Sequence, residues 1–279
     1  MSGRLLDIDH LMINTDGAAK AGAAFEALGF RVTPLSRMPG LENRLVCFAG
    51  TDAAGGVCNY VELMALTDAA TAPPPMPALL ARPRGPVSTV MATSDADATT
   101  ARLRTEGLAV GDVLHLRRDW DLGGGTVVSP RFAVAIPSLG QTPFYWNYCQ
   151  HKTADLYVRD ELTAHPNGVT RLAAVLAVAA DPLGAARRQA APWQAVVSGR
   201  DPAVVTVGAV ALEIFSPEAF AARYGPAEPG LRGTRLEAPS LRAAARHMPG
   251  ARTGRDRLVV TPDLAAGTWI EVVGADAAR

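Results

Sequence analysis

The feature of this sequence that most constrains its fold is an internal repeat. A unit of one strand, one helix and three strands runs from about Leu5 to Leu66, and the same order returns at residues 85–152. When HLMINTD is placed over TVMATSD, the strand-ending residues Asp16 and Asp95 coincide, and FEALGF falls over LRTEGL. Self-similarity at a period of about 60 residues indicates a duplicated structural unit.

The repeat divides the chain into modules, and the predicted fold class is α+β. We predict the following division: a βαβββ module at 1–70, a Pro-rich linker at 71–84, a second βαβββ module at 85–152, a βαβββ-like third module at 165–217 and a degenerate fourth module at 218–279. In the first module, Thr15 or Asp16 is expected to cap the helix and Gly29 to end it.

Charge and cysteine content exclude several classes of partner. Lys plus Arg and Asp plus Glu both number 27 in 279 residues, so no basic surplus points to nucleic acid or to an acidic membrane surface. No apolar run approaches the ~18 residues of a membrane span, and the first residues lack a signal-peptide apolar region. Three unpatterned cysteines favour a reduced cytoplasmic protein. The oligomeric state stays open.

A histidine interrupts the first strand, in LLDIDHLMINTD. At strand period His10 shares a face with Ile8 and Met12, whereas Asp9 falls on the face of Leu11. One interpretation is a core imidazole that a backbone carbonyl satisfies. The other is a functional side chain, and the rest of the sequence has to decide between them.

Glu62 interrupts the last strand of the first module in the same way. In NYVELMA, one face holds Tyr60, Glu62 and Met64, and the other is wholly apolar and suits the helix. Glu62 therefore points away from the helix. A carboxylate on a largely buried strand is costly unless it is paired or bound to a metal.

These two motifs carry a family resemblance. DIDHLMINTD, FEALGFRVTP, NYVELMAL and HPNGVTRLAAV stand in the order expected of the vicinal oxygen chelate superfamily, and the chain is most similar to its glyoxalase-like domain group. The resemblance implies tandem modules whose curled mixed β-sheets surround a cleft, with the helices outside. It also implies a divalent metal ion that is held by side chains of first and last strands and chelates vicinal oxygens of a small-molecule substrate.

The resemblance makes His10 and Glu62 converge, as half of a mixed nitrogen and oxygen metal site. The matching positions of the second module are Thr89 and Asn147, which are not strong ligands. If modules one and four pair, Glu271 completes a three-ligand site for Zn, Ni, Mn or Fe(II). The alternative is a plain hydrogen bond between His10 and Glu62 inside a ligand cavity.

The later modules offer weaker counterparts. Glu213 repeats the strand pattern of Glu62 but has no accompanying histidine, and we interpret it as a relic of the repeat. The first-strand counterparts of His10 are expected to be Val175 and Thr234. Neither side chain can replace an imidazole as a ligand.

Further candidates come from single positions. Glu62 and His165 are the candidate catalytic residues for moving a proton, although His165, in the turn AHPNGV, also fits a structural bond to the backbone. Asn43, Arg44 and Trp146 are the candidate substrate-binding residues. Arg44 suits a carboxylate or phosphate, but a surface role fits equally, and Trp146 belongs to an aromatic cluster that fits a pocket or the core. The remaining histidines are interpreted as surface or structural: His115, His151 and His247.

Two functions follow from these observations. The first is a divalent-metal-dependent lyase or isomerase acting on a small oxygen-chelating metabolite. A ring-cleaving dioxygenase ranks lower, because its iron typically takes two histidines and one carboxylate. The second is a metal-free small-molecule binding protein like the drug-sequestering, bleomycin-resistance-like members of the superfamily. Bound metal in the purified protein favours the first function, and a tight apolar ligand without metal favours the second.

Overall fold

The computed structural model describes residues 3–275, which form two eight-stranded sheets, a small hairpin and seven α-helices. The strands of the first half are β1 (Leu5–Asn14), β2 (Ser36–Met38), β3 (Leu41–Cys47), β4 (Tyr60–Leu66), β5 (Gly85–Thr93), β6 (Leu114–Arg117), β7 (Trp120–Asp121), β8 (Val127–Val128), β9 (Arg131–Ala135) and β10 (Trp146–His151). Those of the second half are β11 (Arg171–Val178), β12 (Val196–Gly199), β13 (Ala203–Thr206), β14 (Ala211–Phe215), β15 (Gly230–Ala238), β16 (Arg252–Thr253), β17 (Arg257–Val260) and β18 (Trp269–Gly274). The helices are α1 (Ala18–Ala27), α2 (Met76–Leu80), α3 (Ala96–Thr105), α4 (Asp160–Thr163), α5 (Pro182–Trp193), α6 (Pro217–Arg223) and α7 (Leu241–Ala245).

The two large sheets have the same topology. The strand order is β2-β3-β4-β1-β5-β10-β9-β6 in the first and β12-β13-β14-β11-β15-β18-β17-β16 in the second. In each sheet two antiparallel first strands meet at the centre, and each is flanked by the parallel last strand of its own unit. The predicted fold class of tandem βαβββ units in mixed sheets is confirmed. The module boundaries stay a prediction.

One continuous apolar core joins the two halves. It includes Leu11 and Ile13 of β1 together with Val175 and Ala177 of β11, and the buried faces of the helices pack into it. The opposite face of the first sheet, which carries His10, Met12, Glu62 and Met64, is called the inner face below. Its apolar residues form a separate cluster with α2, and the corresponding face of the second sheet has its own cluster.

The beginning of α1 differs from the prediction, but its end does not. The N-cap is Gly17, in extended backbone, and no side chain caps the helix there. Instead, the amide of Ala18 donates to Glu42 Oε1 of β3 at 3.0 Å, so a neighbouring strand replaces the expected local cap. Gly29 follows the helix with φ of 75°, the left-handed conformation that ends helices, as predicted.

The Pro-rich segment 71–84 is more ordered than a plain linker. It contains α2, whose side chains Met76, Leu79 and Leu80 are buried against the inner face of the first sheet. Within residues 3–275, every helix is too short or too polar to cross a membrane.

Candidate active site

A cavity of about 330 Å³ opens on the inner face of the first sheet. Its wall is mainly apolar and comprises Met12, Met38, Pro39, Leu41, Met64, Pro73, Met76, Val90, Leu114, Leu116, Phe132, Val134 and Ile136. The other lining residues are His10, Tyr60, Glu62, Thr71, Arg118, Asn147 and Cys149. The volume lies at the lower end of the about 300–1,000 Å³ typical of ligand pockets, which favours a small ligand.

His10 and Glu62 face each other in this cavity. Because β1 and β4 are parallel neighbours with Met12 paired to Glu62, the two side chains project from adjacent strands on the same face. His10 Nε2 lies 3.4 Å from Glu62 Oε2, and both residues are buried. Tyr60 stacks on the imidazole with ring centroids 4.0 Å apart, which restricts the orientation of His10.

An irregularity in β1 brings a third charged group to this pair. The pairing of β1 with β5 shifts between Ile8 and His10, and such bulges re-aim side chains. The carboxylate of Asp9, expected on the opposite face, therefore meets His10: its Oδ2 lies 2.7 Å from His10 Nδ1 and 2.9 Å from His151 Nε2. Asp9 Oδ1 accepts the amide of Cys58 at 2.9 Å.

Charges and hydrogen bonds fix the protonation states of Asp9 and His151. Burial alone raises the pKa of Asp9, but the positive charge of His151 and the hydrogen bonds from His10 and His151 outweigh it and lower that pKa to about 2. Burial lowers the pKa of His151, yet the charge of Asp9 raises it well above its ordinary value. Asp9 is therefore an anion, so His10 donates from Nδ1 and presents Nε2 to Glu62.

Glu62 is held as a carboxylate by several neighbours. Burial raises its pKa, but the hydrogen bond and the charge of His10, then the charge of Arg118 and the hydrogen bond from Asn43, lower it overall. Asn43, which the sequence predicts to bind substrate, does not line the cavity; its Nδ2 instead donates to Oε1 of Glu62. Arg118 Nη2 lies 4.0 Å from the same oxygen. The Arg118 guanidinium is buried over the rings of Phe132, at 4.6 Å, and Trp120, at 5.9 Å.

Glu271, the predicted third ligand, lies elsewhere. It stands on β18 of the second sheet, is fully buried, and binds Arg223 at 2.7 Å, Arg235 at 2.6 Å and the Tyr224 hydroxyl at 3.0 Å. The hypothesis that modules one and four pair is wrong, since β1 pairs with β5 and β18 pairs with β15. Glu213 belongs to the same group through an ion pair with Arg235.

Three other candidates do not reach the cavity. His165 accepts the amide of Arg31 through Nδ1 and donates through Nε2 to the carbonyl of Cys47, both at 2.9 Å, so it is a structural histidine. Arg44 packs beside α1, where it binds Glu26 and the carbonyl of Thr33. Trp146 is buried in the core shared by the two halves. None of the three lines the cavity, which corrects their proposed roles.

The strand register gives the repeat counterparts of the pair. Met12 opposes Glu62, and the equivalent pairs are Val90 with Asn147, Leu176 with Glu213, and Arg235 with Glu271. Two residues before each of these first-strand positions, where β1 has His10, the other modules have Ser88, Ala174 and Gly233. The expected counterparts Thr89, Val175 and Thr234 are wrong by one residue, which in a strand means the opposite face.

The residues of the cavity do not fit a resident divalent metal ion. His10 and Glu62 supply two strong donors, but within residues 3–275 no group of three or more His, Cys, Asp or Glu side chains is arranged to hold a metal. The guanidinium of Arg118 already places a positive charge beside Glu62. The predicted ligand set of His10, Glu62 and Glu271 is not assembled.

Sequence reasoning missed Asp9, His151 and Arg118. His151 was interpreted as surface or structural, but its side chain is fully buried against Asp9. A signal for Arg118 was present: in LHLRRDW, alternation places Leu114, Leu116 and Arg118 on one face, and all three line the cavity. No pattern in the sequence announces the bulge that redirects Asp9.

Comparison with known proteins agrees with this architecture. Residues 8–195 match the model of the glyoxalase-like domain family. A hypothetical protein from Staphylococcus aureus has a TM-score of 0.66 at 8% identity, with 95% of this chain and 98% of that chain covered. The Mn(II)-bound glyoxalase from Novosphingobium aromaticivorans has a TM-score of 0.58 at 10% identity, with 98% of this chain and 83% of that chain covered. Homoprotocatechuate 2,3-dioxygenase from Arthrobacter globiformis has a TM-score of 0.53 at 15% identity, with 98% of this chain and 80% of that chain covered. No curated protein matches the chain.

Proposed function

The chain belongs to the glyoxalase-like domain family, within the vicinal oxygen chelate superfamily, and from this premise we propose that it is a lyase or isomerase that moves a proton on a small, mainly apolar, oxygen-bearing molecule. The observation that carries the proposal is the facing pair of His10 and Glu62 in the first-sheet cavity. Fold alone does not specify an activity in this superfamily, so the proposal depends on the site.

The chemistry follows from the hydrogen bonds of the pair. Asp9 occupies Nδ1 of His10, so this imidazole exchanges protons only through Nε2, toward Glu62 and the cavity. Glu62 is held ionised and can accept a proton from a carbon next to a carbonyl group. In the same step His10, with a proton on each ring nitrogen, gives its Nε2 proton to the carbonyl oxygen and keeps its Nδ1 proton toward Asp9, which produces an enol. In a 2-hydroxy carbonyl compound, Glu62 then returns its proton to the former carbonyl carbon while the neighbouring hydroxyl gives its proton to His10 Nε2, and the product is the isomeric hydroxy carbonyl compound. In a compound with a leaving group on the next carbon, the enol proton returns to His10 Nε2 and Glu62 protonates the leaving group as it departs, which completes an elimination.

No step of this chemistry is derived through a metal ion, because the donor set does not fit one. The sequence-based expectation of Zn, Ni, Mn or Fe(II) at His10 and Glu62 therefore gives way to an acid–base pair oriented by Asp9. We expect EDTA, followed by Mn²⁺ addition, to change the reaction rate less than twofold. A rate that disappears with EDTA and returns with Mn²⁺ contradicts this part of the proposal.

Hydrogen–deuterium exchange tests the proposed proton transfer without knowledge of the natural substrate. 2-Hydroxyacetophenone and phenylacetone in D₂O are followed by proton NMR with and without the protein. We expect catalysed exchange beside the carbonyl, and a loss of about 10²–10⁴-fold in Glu62→Gln, the usual contribution of a general base. Glu213→Gln is the matched control, because Glu213 has the equivalent register position in the second sheet. Exchange no faster than in buffer for either ketone, or full activity in Glu62→Gln, contradicts the proposal.

The apolar wall of the cavity favours a second candidate function, small-molecule sequestration. Thirteen of the twenty lining residues are Met, Pro, Leu, Val, Ile or Phe. A protein that only binds would saturate with these ketones, with His10 and Glu62 serving as hydrogen-bonding partners. Saturable binding without any catalysed exchange supports sequestration and rejects the enzyme.

The proposal also includes the location of the protein and its class of partner. Cys47, Cys58 and Cys149 are buried and unpaired, which supports a reducing, cytoplasmic location. The partner we propose is a small molecule rather than a nucleic acid or a membrane, in agreement with the balanced charge.

A further inference from the structure

The guanidinium of Arg118 identifies the class of ligand that the cavity takes. We infer that the ligand is a monocarboxylate with an apolar body, whose carboxylate binds Arg118 and whose body fills the apolar part of the cavity. This inference rests on the proposed role of the cavity as the ligand site and adds the substrate class to it.

The guanidinium of Arg118 is a buried cation for which the described residues provide no hydrogen bond. Its side chain is only 3% exposed. Within residues 3–275, no acceptor lies within hydrogen-bond distance of Nε or Nη1, and both atoms are shielded from solvent. An arginine has five N–H donors, and buried charged groups in proteins are normally paired or hydrogen-bonded, because leaving them unsatisfied is costly.

The neighbours of Arg118 within residues 3–275 leave these donors without an acceptor, and the nearby Tyr157 hydroxyl also makes no hydrogen bond there. Phe132 and Trp120 place ring faces against the guanidinium, which attract a cation but accept no strong hydrogen bond. Glu62 is a nearby anion, but its Oε1, 4.0 Å from Nη2, already accepts from Asn43. Glu62 Oε2 faces His10 instead. Arg118 therefore places a positive charge in the wall of the cavity, and part of its guanidinium has no acceptor among the described residues.

A carboxylate meets this requirement better than a neutral oxygen. Its two oxygens can accept two parallel N–H bonds from one guanidinium, and charge-assisted bonds are about twice as strong as neutral ones. The remainder of the wall consists of methionine, leucine, valine and other apolar side chains, so the body of the ligand is aliphatic or aromatic. One anionic end and one apolar body match the two regions of the cavity.

Isothermal titration calorimetry with octanoate and octanamide tests this inference on the intact chain. The two probes have the same chain length and differ in the charged group. We expect octanoate to bind at least tenfold more tightly than octanamide. Equal affinity of the two probes, or no octanoate binding at millimolar concentration, overturns the inference.

Variants of two adjacent arginines identify the residue responsible. Arg118→Met keeps an apolar side chain of similar length, and we expect it to weaken octanoate binding at least tenfold while leaving octanamide unchanged. Arg117→Met is the control, because Arg117 is exposed and forms an ion pair with Asp119 at the surface. Undiminished octanoate binding by folded Arg118→Met overturns the assignment. If that variant does not fold, the comparison of the two probes on the unmodified chain still decides.

The outcome is separate from that of the proton-transfer test. Preference for octanoate without catalysed exchange of the ketones supports the ligand class and rejects the enzyme. Catalysed exchange that Glu62→Gln abolishes, together with equal binding of the two probes, supports the enzyme and rejects the ligand class.

Discussion

At the residue scale, Asp9 organises the site although it does not line the cavity. Its carboxylate receives hydrogen bonds from His10, His151 and the amide of Cys58, and it is completely buried. The charge of His151 compensates that of Asp9, so the buried carboxylate is paired and hydrogen-bonded on both oxygens. Breaking such a pair from one side leaves the other charge without compensation.

Asp9→Asn is expected to lower the free energy of unfolding by about 3–5 kcal/mol, because protonated His151 would remain buried without its anion. Urea denaturation at pH 7 measures the change. Asp119→Asn, at an exposed ion pair with Arg117, should leave the free energy of unfolding close to that of the unmodified chain. Similar losses in the two variants would show that Asp9 contributes no more than a surface carboxylate.

His165 makes stability depend on pH. Burial lowers its pKa from the ordinary 6.5 to about 4; the charge of Arg31 also lowers it, and the hydrogen bond that Nε2 donates to the carbonyl of Cys47 only partly offsets these effects. The unfolded chain therefore binds more protons between these values, and stability falls as the pH falls from about 6.5 to 4, by roughly 3 kcal/mol from this residue. Urea denaturation at pH 7 and at pH 4.5 should show a smaller difference in His165→Gln than in the unmodified chain. The exposed His247→Gln should keep the original pH dependence.

The sequence was sufficient for the central pair but not for its surroundings. Alternation along β1 and β4 predicted that His10 and Glu62 are set apart from the helix-facing residues, and both line the cavity. Asp9 could not be predicted because a bulge breaks the alternation just where it stands. Arg44 was misassigned because residue type alone does not tell which side of a strand end faces a cleft. Glu271 was misassigned because the pairing of modules is a property of the whole fold.

At the scale of elements, the segment between the first two modules packs against the first sheet, although its proline content predicted a linker. Prolines and alanines in TAPPPMPALLARPRGP resemble a linker, yet Met76, Leu79 and Leu80 lie on one side of α2 and are buried. Pro73 and Met76 line the cavity, so the segment that connects the modules also forms part of its wall.

Leu79→Ala tests whether this segment is an integral part of the fold. Leu79 is fully buried, and its truncation should lower the free energy of unfolding by about 2–4 kcal/mol, because a cavity is left behind. Val127→Ala, at a 61% exposed position of the β7–β8 hairpin, should cost less than about 0.5 kcal/mol. Thermal and urea unfolding of the three proteins provide the comparison. A loss below 1 kcal/mol for Leu79→Ala would indicate that the segment is an unpacked linker.

At the scale of the whole molecule, the two sheets are joined by more than their shared apolar core. The carboxylate of Asp7, at the beginning of β1, accepts the amides of Ala209 and Val210, the two residues just before β14, at 3.0 and 2.9 Å. Gln189 of α5 also accepts the amide of Phe144 at 3.0 Å. These polar contacts fix the first half of the chain against the second.

Asp7→Ala should therefore destabilise the contact between the halves. It leaves the amides of Ala209 and Val210 without their acceptor, at a cost of about 1–3 kcal/mol for each that stays unsatisfied. Fluorescence of variants that retain only Trp120 or only Trp269 reports on each half during urea unfolding. We expect coincident transitions with the native Asp7 and earlier unfolding with Asp7→Ala, whereas the exposed Asp256→Ala should change neither curve. Unchanged curves for Asp7→Ala would show that the apolar core alone joins the halves.

In the second sheet, the face that corresponds to the inner face of the first is covered by a buried aromatic cluster, which makes it a target for protein engineering. The strand order of the second sheet repeats that of the first sheet, and Glu213 and Glu271 stand at the register positions of Glu62 and Asn147. Phe220, Tyr224 and Trp269 form a buried cluster with Leu176 and Val178 on this face of the second sheet. Replacing these three aromatic residues with smaller side chains would open a cavity lined by carboxylates and guanidiniums. One polypeptide would then carry two cavities, one mainly apolar and one charged, on sheets that share an apolar core.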